Sequence, residues 1–146
     1  MPEPNSAIDA DPRRGPFLHL LGMTAQPIEP GRVRILYRVG ADHLRTRGIA
    51  HGGAIATLMD TALGLAASTK APAGLDVVTA QLNVNFIRPA WEGESLVAEA
   101  EIRHSGRRTA VASGEIRTDR GTLVATGTAT LMFVLPHDLA KAETQS

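Results

Sequence analysis

Apolar and polar side chains alternate along five stretches of the chain, and this period of two predicts five half-exposed β-strands. The stretches span residues 32–39, 77–87, 95–103, 108–118 and 122–134. Turn residues, such as those at 119–121, separate the last four stretches, and connections this short favour antiparallel neighbours. Residues 26–31, which include two prolines, are interpreted as a connector.

A helical period replaces this alternation in residues 51–69, between the first two predicted strands. The apolar face of that helix consists of Ile55, Leu58, Met59, Ala62, Leu63, Leu65 and Ala66. Residues 17–23 form a shorter apolar segment, which predicts one or two helical turns. Because the final strands carry small residues that leave room for a helix, the pattern predicts an α+β domain with an antiparallel sheet wrapped around one central helix.

Length, charge and cysteine content narrow the class of protein. The 146 residues suit one domain at 15–135, with a disordered leader at 1–14 and a polar tail at 136–146. Fifteen basic and fifteen acidic residues give no net charge and no support for a nucleic-acid partner. The absence of cysteine excludes disulfides and cysteine-ligated metals, and it fits a cytoplasmic location. No apolar run reaches the roughly 18–20 residues of a membrane span, so no membrane partner is expected.

The start of the central helix carries the most informative residues. His51 is followed by Gly52 and Gly53, and Asp60 lies two helical turns further on. Glycines let a ligand approach backbone N–H groups at the positive end of the helix dipole, where a thioester or ester carbonyl oxygen is stabilised. A carboxylate on a strip of small residues can act as general base or as nucleophile at an acyl carbon. The pattern predicts acyl chemistry; the alternative is a glycine turn followed by a solvent-facing aspartate.

The spacing of Gly52 and Asp60 also bears on assembly. Eight residues span roughly 12 Å of helix, so one helix cannot easily present both groups to the same carbonyl carbon. Two antiparallel copies of the helix across a two-fold axis can do so. The sequence therefore predicts a homodimer with paired sites, each taking Gly52 from one chain and Asp60 from the other.

Several segments together resemble one family. The run from His51 to Asp60 is similar to that of hotdog-fold acyl-CoA thioesterases of the phenylacetate-pathway type, the PaaI-like branch. Three further segments share the resemblance: residues 79–89 (Thr-Ala-Gln-Leu-Asn-Val-Asn-Phe-Ile-Arg-Pro), 105–108 (Ser-Gly-Arg-Arg) and 128–133 (Thr-Ala-Thr-Leu-Met-Phe). The resemblance extends from Phe17 to Phe133, which is most of the chain.

This resemblance implies a hotdog fold, a homodimer that often pairs into a homotetramer, and hydrolysis of acyl-CoA to free acid and CoA without a metal or cofactor. Asp60 matches the family's catalytic carboxylate, and Gly52 matches the glycine whose N–H polarises the thioester. His51 and Thr79 match residues that line the site, where Thr79 helps to place water. Arg45 stands where relatives often carry asparagine; it either pairs with an acidic acyl group or faces solvent.

The expected substrate is an aryl- or medium-chain acyl-CoA, whose phosphates need cations. The residues expected to contact it, besides Arg45, are Gly53, Phe86, Arg88, Pro89, His104, Ser105, Gly106, Arg107 and Arg108, with Trp91 placed to stack on adenine. The histidines show no metal-ligand spacing, so no metal site is expected.

Two rival functions remain. One is a hotdog protein that binds acyl-CoA or lipid without turnover, which Asp60 argues against; the other is a hotdog hydratase or dehydratase, which needs a His–acid pair not seen here.

Overall fold

In the computed structural model, which describes residues 15–139, the helices are α1 (Pro16–Leu21) and α2 (Gly52–Ser68). The strands are β1 (Thr24–Glu29), β2 (Arg32–Arg38), β3 (Asp76–Phe86), β4 (Ser95–Ser105), β5 (Thr109–Thr118) and β6 (Leu123–Val134). Two 3₁₀ turns, Ala41–His43 and Thr46–Gly48, lie between β2 and α2. The predicted leader at 1–14 lies outside the described residues, and so does the predicted tail at 136–146 from residue 140 onward. Residues 136–139, the first four of that tail, form one helical turn.

All six strands form one antiparallel sheet in the order β1-β2-β4-β5-β6-β3. Helix α2 packs across one face of this sheet and contacts β2 to β6. The α+β class and the central helix are confirmed, and the arrangement is the hotdog fold that the resemblance implies. No helix within residues 15–139 is both long enough and apolar enough to span a membrane.

The face of α2 that meets the sheet follows the expected helical period with one shift. Its buried residues are Ile55, Leu58, Met59, Ala62, Leu63, Ala66 and Ala67. Ala67, which was not among the residues expected on the apolar face, is buried because it continues the i, i+4 row of Ile55, Met59 and Leu63. Leu65 is only partly buried and lines a groove beside Asp60.

Two glycines bring α2 unusually close to the sheet. Gly114 of β5 and Gly127 of β6 are paired across the two strands, directly beneath Met59. A Cβ on Gly127 would lie 2.7 Å from Met59 Cγ and 3.0 Å from the carbonyl oxygen of Asn83. Only glycine fits there, so this pair sets the distance between the helix and the sheet at the residue before Asp60.

Strand β1 corrects the interpretation of residues 26–31 as a connector. Thr24–Glu29 pairs antiparallel with β2, and its register shifts between Pro27 and Glu29. Proline is tolerated because β1 is an edge strand and the irregularity lies at the proline.

Strand β3 forms the other edge of the sheet and, within residues 15–139, pairs with β6 alone. Its register shifts between Thr79 and Gln81, and this bulge changes which side chains face the helix. Val77 packs against the core before the bulge, and Leu82 and Val84 pack against it afterwards. The strict alternation expected for residues 77–87, which placed Thr79 opposite Leu82, is therefore wrong at this point.

Candidate active site

A histidine caps the first turn of α2. His51 has extended backbone angles, and its Nδ1 accepts a hydrogen bond of 2.8 Å from the Gly53 N–H. This is the role that serine or aspartate fills at most helix starts. A Cβ on residue 53 would lie 2.9 Å from that Nδ1, so glycine is required there for the imidazole to reach the backbone.

The cap leaves one N–H group of the first turn open. The N–H groups of Ala54 and Ile55 donate to the His51 carbonyl oxygen at 2.9 and 3.4 Å. The Gly52 N–H donates to no acceptor within residues 15–139. Of the two glycines, only Gly52 therefore has a backbone N–H without an acceptor among residues 15–139, at the positive end of the helix dipole, whereas both N–H groups were expected to be available to a ligand.

Asp60 lies two turns further along α2 and is held by β3. Its Oδ1 accepts a hydrogen bond of 2.7 Å from Thr79 Oγ1. Its Oδ2 has no hydrogen-bond partner among the described residues. The bulge after Thr79 turns this side chain toward the helix, so two expected site residues, distant in sequence, meet through an irregularity of the strand.

Two grooves of the protomer lie along α2, one beside Asp60 and one at the helix start. The groove beside Asp60 has a volume of about 730 Å³, and its walls include Gly64, Leu65, Leu75 and Val77. A second groove of about 400 Å³ lies at the helix start and is lined by residues of α1, the 3₁₀ turn and α2, namely Phe17, Leu21, Asp42, His43, Leu44, His51, Gly53, Ala54 and Thr57. Gly52 lines neither of these two grooves and lies beside the Phe86 ring, so within residues 15–139 it shares neither groove with the Asp60 carboxylate.

The segment that follows β3 holds one expected substrate residue in an ion pair. Phe86 is 57% exposed, and its ring lies beside Gly52. Arg88 donates to both carboxylate oxygens of Glu94, at 2.9 and 3.3 Å. The hydrogen bond from Arg88, helped by one from the Trp91 N–H and opposed by partial burial, lowers the pKa of Glu94. Arg88 therefore braces the turn before β4 rather than standing as a free cation, while Pro89 is exposed beside it.

The β4–β5 hairpin presents uncompensated cations. Arg107 and Arg108 are exposed and form no ion pair with an acid in the described part of the chain, and their neighbours His104 and Ser105 are exposed too. The Gly106 N–H closes the turn by donating to Thr109, as the hairpin geometry requires. Cross-strand pairing puts Ser105 three strands from Thr79, a separation of roughly 14 Å.

Arg45 is also exposed, and its side chain contacts only Thr46 Oγ1, at 3.5 Å, among residues 15–139. A hydrogen bond of that length between exposed groups does little to fix the guanidinium. The structure thus leaves this arginine in the loop before α2 without an acidic partner.

The outer face of the sheet carries charges that cancel one another. Two grooves of about 500 Å³ lie there, and arginine and glutamate side chains line both of them. The pairs are Arg34–Glu99 at 2.7 Å, Arg103–Glu101 at 2.8 Å and Arg117–Glu115 at 2.8 Å. None of the residues expected to bind or react with substrate lines these two grooves.

One contact near the site was not expected from the sequence. Tyr37 is 3% exposed, and its hydroxyl lies 2.6 Å from His43 Nδ1 with the two rings stacked. Burial raises the pKa of Tyr37 to about 12. A tyrosine on the buried face of a predicted strand was a signal that a polar partner must exist, since a buried hydroxyl is rarely left alone. Among residues 15–139, no three His, Asp or Glu side chains cluster as metal ligands do.

The amino-acid sequence is similar to those of two proteins named as acyl-coenzyme A thioesterases. Acyl-coenzyme A thioesterase PaaI of Escherichia coli (strain K12) is 31% identical over 105 residues, which cover 72% of this chain and 73% of that protein. Acyl-coenzyme A thioesterase 13 of Homo sapiens is 30% identical over 115 residues, which cover 76% of this chain and 80% of that protein.

A solved structure is similar over a comparable extent. It is that of a hypothetical thioesterase protein from Streptococcus pneumoniae TIGR4 with coenzyme A, at a TM-score of 0.70 and 29% identity, covering 77% of this chain and 85% of that one. The same protein has been solved as an aspartate-to-alanine and a threonine-to-alanine mutant. Residues 47–125 match the family model that describes the thioesterase superfamily. Fold, site geometry and sequence agree, and this chain belongs to the thioesterase superfamily.

Proposed function

We propose that this chain is a cytoplasmic acyl-CoA thioesterase that hydrolyses an aryl- or medium-chain acyl-CoA to free acid and CoA. The observation that carries the proposal is the state of the Asp60 carboxylate. Thr79 holds Oδ1 at 2.7 Å, while Oδ2 accepts no hydrogen bond from the described residues. A carboxylate fixed at one oxygen and open at the other is suited to take a proton from water or to attack an acyl carbon.

In this proposal the Gly52 N–H stabilises the oxyanion whether Asp60 acts as general base or as nucleophile. The negative charge develops on the thioester carbonyl oxygen in both cases, and the N–H lies at the positive end of α2. With Asp60 as general base, the water oxygen bonds to the thioester carbon while its proton passes to Asp60. The carbon–sulfur bond then breaks, and Asp60 returns the proton to the CoA sulfur. With Asp60 as nucleophile, its carboxylate expels the thiolate, and water cleaves the resulting anhydride.

The two groups act on one carbonyl only if they come from two chains. Gly52 and Asp60 are eight residues apart on one helix, roughly 12 Å, and Gly52 does not line the groove beside Asp60. Strand β3, which holds Thr79 beside Asp60, is an edge strand whose outer backbone groups pair with no other strand in the described part of the chain. We assign that edge to a second copy in a two-fold homodimer, and a homotetramer to the pairing of two dimers.

The relatives support this assignment in their own terms. The E. coli and human proteins are named acyl-coenzyme A thioesterases, and the S. pneumoniae protein was solved with coenzyme A. The residue types mutated in that protein, an aspartate and a threonine, are those of the hydrogen-bonded pair Asp60 and Thr79.

We assign the CoA phosphates to the hairpin cations. Arg107 and Arg108 are exposed and unpaired among the described residues, and arginine binds phosphate in a bidentate manner. Arg88 is already bonded to Glu94, so it contributes less to this recognition than the sequence suggested. The exposed neighbours Ser105 and His104 are available for further hydrogen bonds to CoA.

The test is thiol release from a panel of aryl-acetyl, benzoyl and medium-chain CoA esters. Asp60→Asn keeps the shape of the side chain and an oxygen to accept from Thr79, but it removes the base and the nucleophile. We expect kcat to fall by roughly 10²- to 10⁴-fold, with an unchanged circular dichroism spectrum and midpoint of thermal unfolding.

Asp119→Asn is the matched control, because Asp119 lies in an exposed turn on the outer side of the sheet. Its turnover should equal that of the wild type. Wild-type turnover by Asp60→Asn would remove Asp60 from the mechanism. A wild-type protein that binds acyl-CoA tightly and releases no thiol would instead be a carrier or sensor.

A further inference from the structure

The contact between Tyr37 and His43 joins the sheet to the loop that precedes α2. Tyr37 lies on the buried face of β2, and His43 ends the first 3₁₀ turn. Their ring centroids are 5.4 Å apart at an interplanar angle of 27°, and the hydroxyl lies 2.6 Å from His43 Nδ1. A polar contact this short, made by a side chain with almost no exposure, fixes the position of the imidazole.

The backbone determines which ring nitrogen of His43 carries the proton. The Gly40 N–H also points at His43 Nδ1, at 2.9 Å. A backbone N–H can only donate, so Nδ1 is the acceptor and the proton of the neutral ring is on Nε2. The Tyr37 hydroxyl therefore donates to the same nitrogen, and His43 is held from the strand and from its own turn at once.

The main chain of His43 transmits this position to the helix start. Its carbonyl oxygen accepts a hydrogen bond of 2.8 Å from the N–H of His51, the residue that caps α2. Two further backbone bonds hold the residues just before His51: the Ala50 N–H donates to the Ala90 carbonyl and the Arg45 N–H donates to the Ile49 carbonyl, both at 2.8 Å. The peptide that follows His51 carries the open N–H of Gly52, so the His43 bond is the anchor that acts on the helix start directly, at His51 itself.

We propose that His43 is a positioning residue for thioester hydrolysis: through its acceptor Nδ1 and its carbonyl oxygen it fixes where the Gly52 N–H stands. This inference rests on the proposed function, in which that N–H binds the oxyanion. The proposal gives His43 no contact with the reacting carbon, and none of the hydrogen bonds of His43 goes to the Asp60 carboxylate. Its effect is expected in kcat, because a displacement of about 1 Å at an oxyanion donor costs on the order of 100-fold in rate.

Two substitutions of His43 separate its acceptor from its bulk. His43→Leu fills a similar volume without any acceptor, whereas His43→Asn places a side-chain oxygen near the position of Nδ1. We expect His43→Leu to lower kcat by about 10- to 100-fold with KM within about twofold of the wild type. His43→Asn should recover most of that loss. Equal losses in both variants, or a folded His43→Leu protein with normal kcat, would overturn the proposal.

Tyr37→Phe is a third variant, which tests the positioning role of His43 even if His43→Leu does not fold. It keeps the ring stack and the Gly40 bond and removes only the hydroxyl donor. We expect a smaller fall in kcat, about threefold to tenfold, again without a change in KM. A change in KM with constant kcat would contradict a positioning role.

Amide hydrogen exchange keeps this inference separate from the proposed function. The His51 N–H is protected by the His43 carbonyl, so it should exchange faster in His43→Leu than in the wild type or His43→Asn. That comparison needs no substrate. If the wild type hydrolyses no CoA ester, the proposed function fails while the exchange still reports on the anchor; unchanged exchange in a folded His43→Leu protein refutes the anchor itself.

Discussion

Two adjacent glycines at the start of α2 differ in what their N–H groups contact. The Gly53 N–H is bonded to the imidazole of His51, and a Cβ there would collide with that ring. The Gly52 N–H is open, and a Cβ on Gly52 would make only ordinary contact, 3.6 Å from Phe86. At the residue scale, one glycine is needed for the cap and the other offers its backbone to a ligand.

Gly52→Pro tests that distinction because it deletes the N–H alone. Gly52 is the first residue of the helix, where proline is favoured, and His51 has φ −60° and ψ 137°, which suit a residue before proline. We expect an unchanged fold and a fall in kcat of about 10²- to 10³-fold, measured by thiol release. Gly52→Ala keeps the N–H, so its loss should be smaller; equal losses would point to crowding rather than to the missing donor.

The histidine contacts show why sequence spacing could not place every site residue. His51, Gly52 and Asp60 were identified because they share one helix, whose geometry is fixed by its period. His43 carried no comparable signal: its partner Tyr37 lies on a neighbouring strand, and their meeting depends on the path of a loop. The ion pair between Arg88 and Glu94 could not be predicted from the sequence either, because each of the two side chains could have faced solvent.

At the scale of elements, the close approach of α2 to β5 and β6 fixes the height of Asp60 above the sheet. Met59 rests on Gly114 and Gly127, and Asp60 is the next residue. The alternating strands and the helical period were predictable because each reflects burial of one face. Strand β1 and the bulge after Thr79 were not, because an edge strand tolerates proline and a bulge depends on its partner strand.

Gly127→Ala should destabilise the fold through this contact. Its Cβ would lie 2.7 Å from Met59 Cγ and 3.0 Å from a backbone oxygen, so the helix or its side chain must move. We expect the free energy of unfolding to fall by about 1–3 kcal/mol in urea denaturation. In a Met59→Ala background the added cost should be smaller, because the colliding atoms are gone. The same cost in both backgrounds would show that the strain lies elsewhere.

At the scale of the molecule, the proposed site is shared between two chains, and this can be tested with two inactive variants. A mixed dimer of Asp60→Asn and Gly52→Pro has one site with both groups intact and one site with neither. Random association of equal amounts makes half of all dimers mixed, so co-expression should restore about a quarter of wild-type activity. Activity that stays at the level of the separate variants, in dimers shown by mass spectrometry to be mixed, would place both groups in one chain.

The two edge strands of the sheet differ in how readily another polypeptide chain can pair with them. Strand β1 has six residues, a proline and an irregular register, which together make it a poor template for pairing. Strand β3 has eleven residues and no proline, and its outer backbone groups pair with nothing in residues 15–139. A newly synthesised protomer therefore exposes one edge strand, β3, to which an extended peptide can form backbone hydrogen bonds. The homodimer proposed above would bury this edge, and it would remove the aggregation hazard whether or not substrate is present.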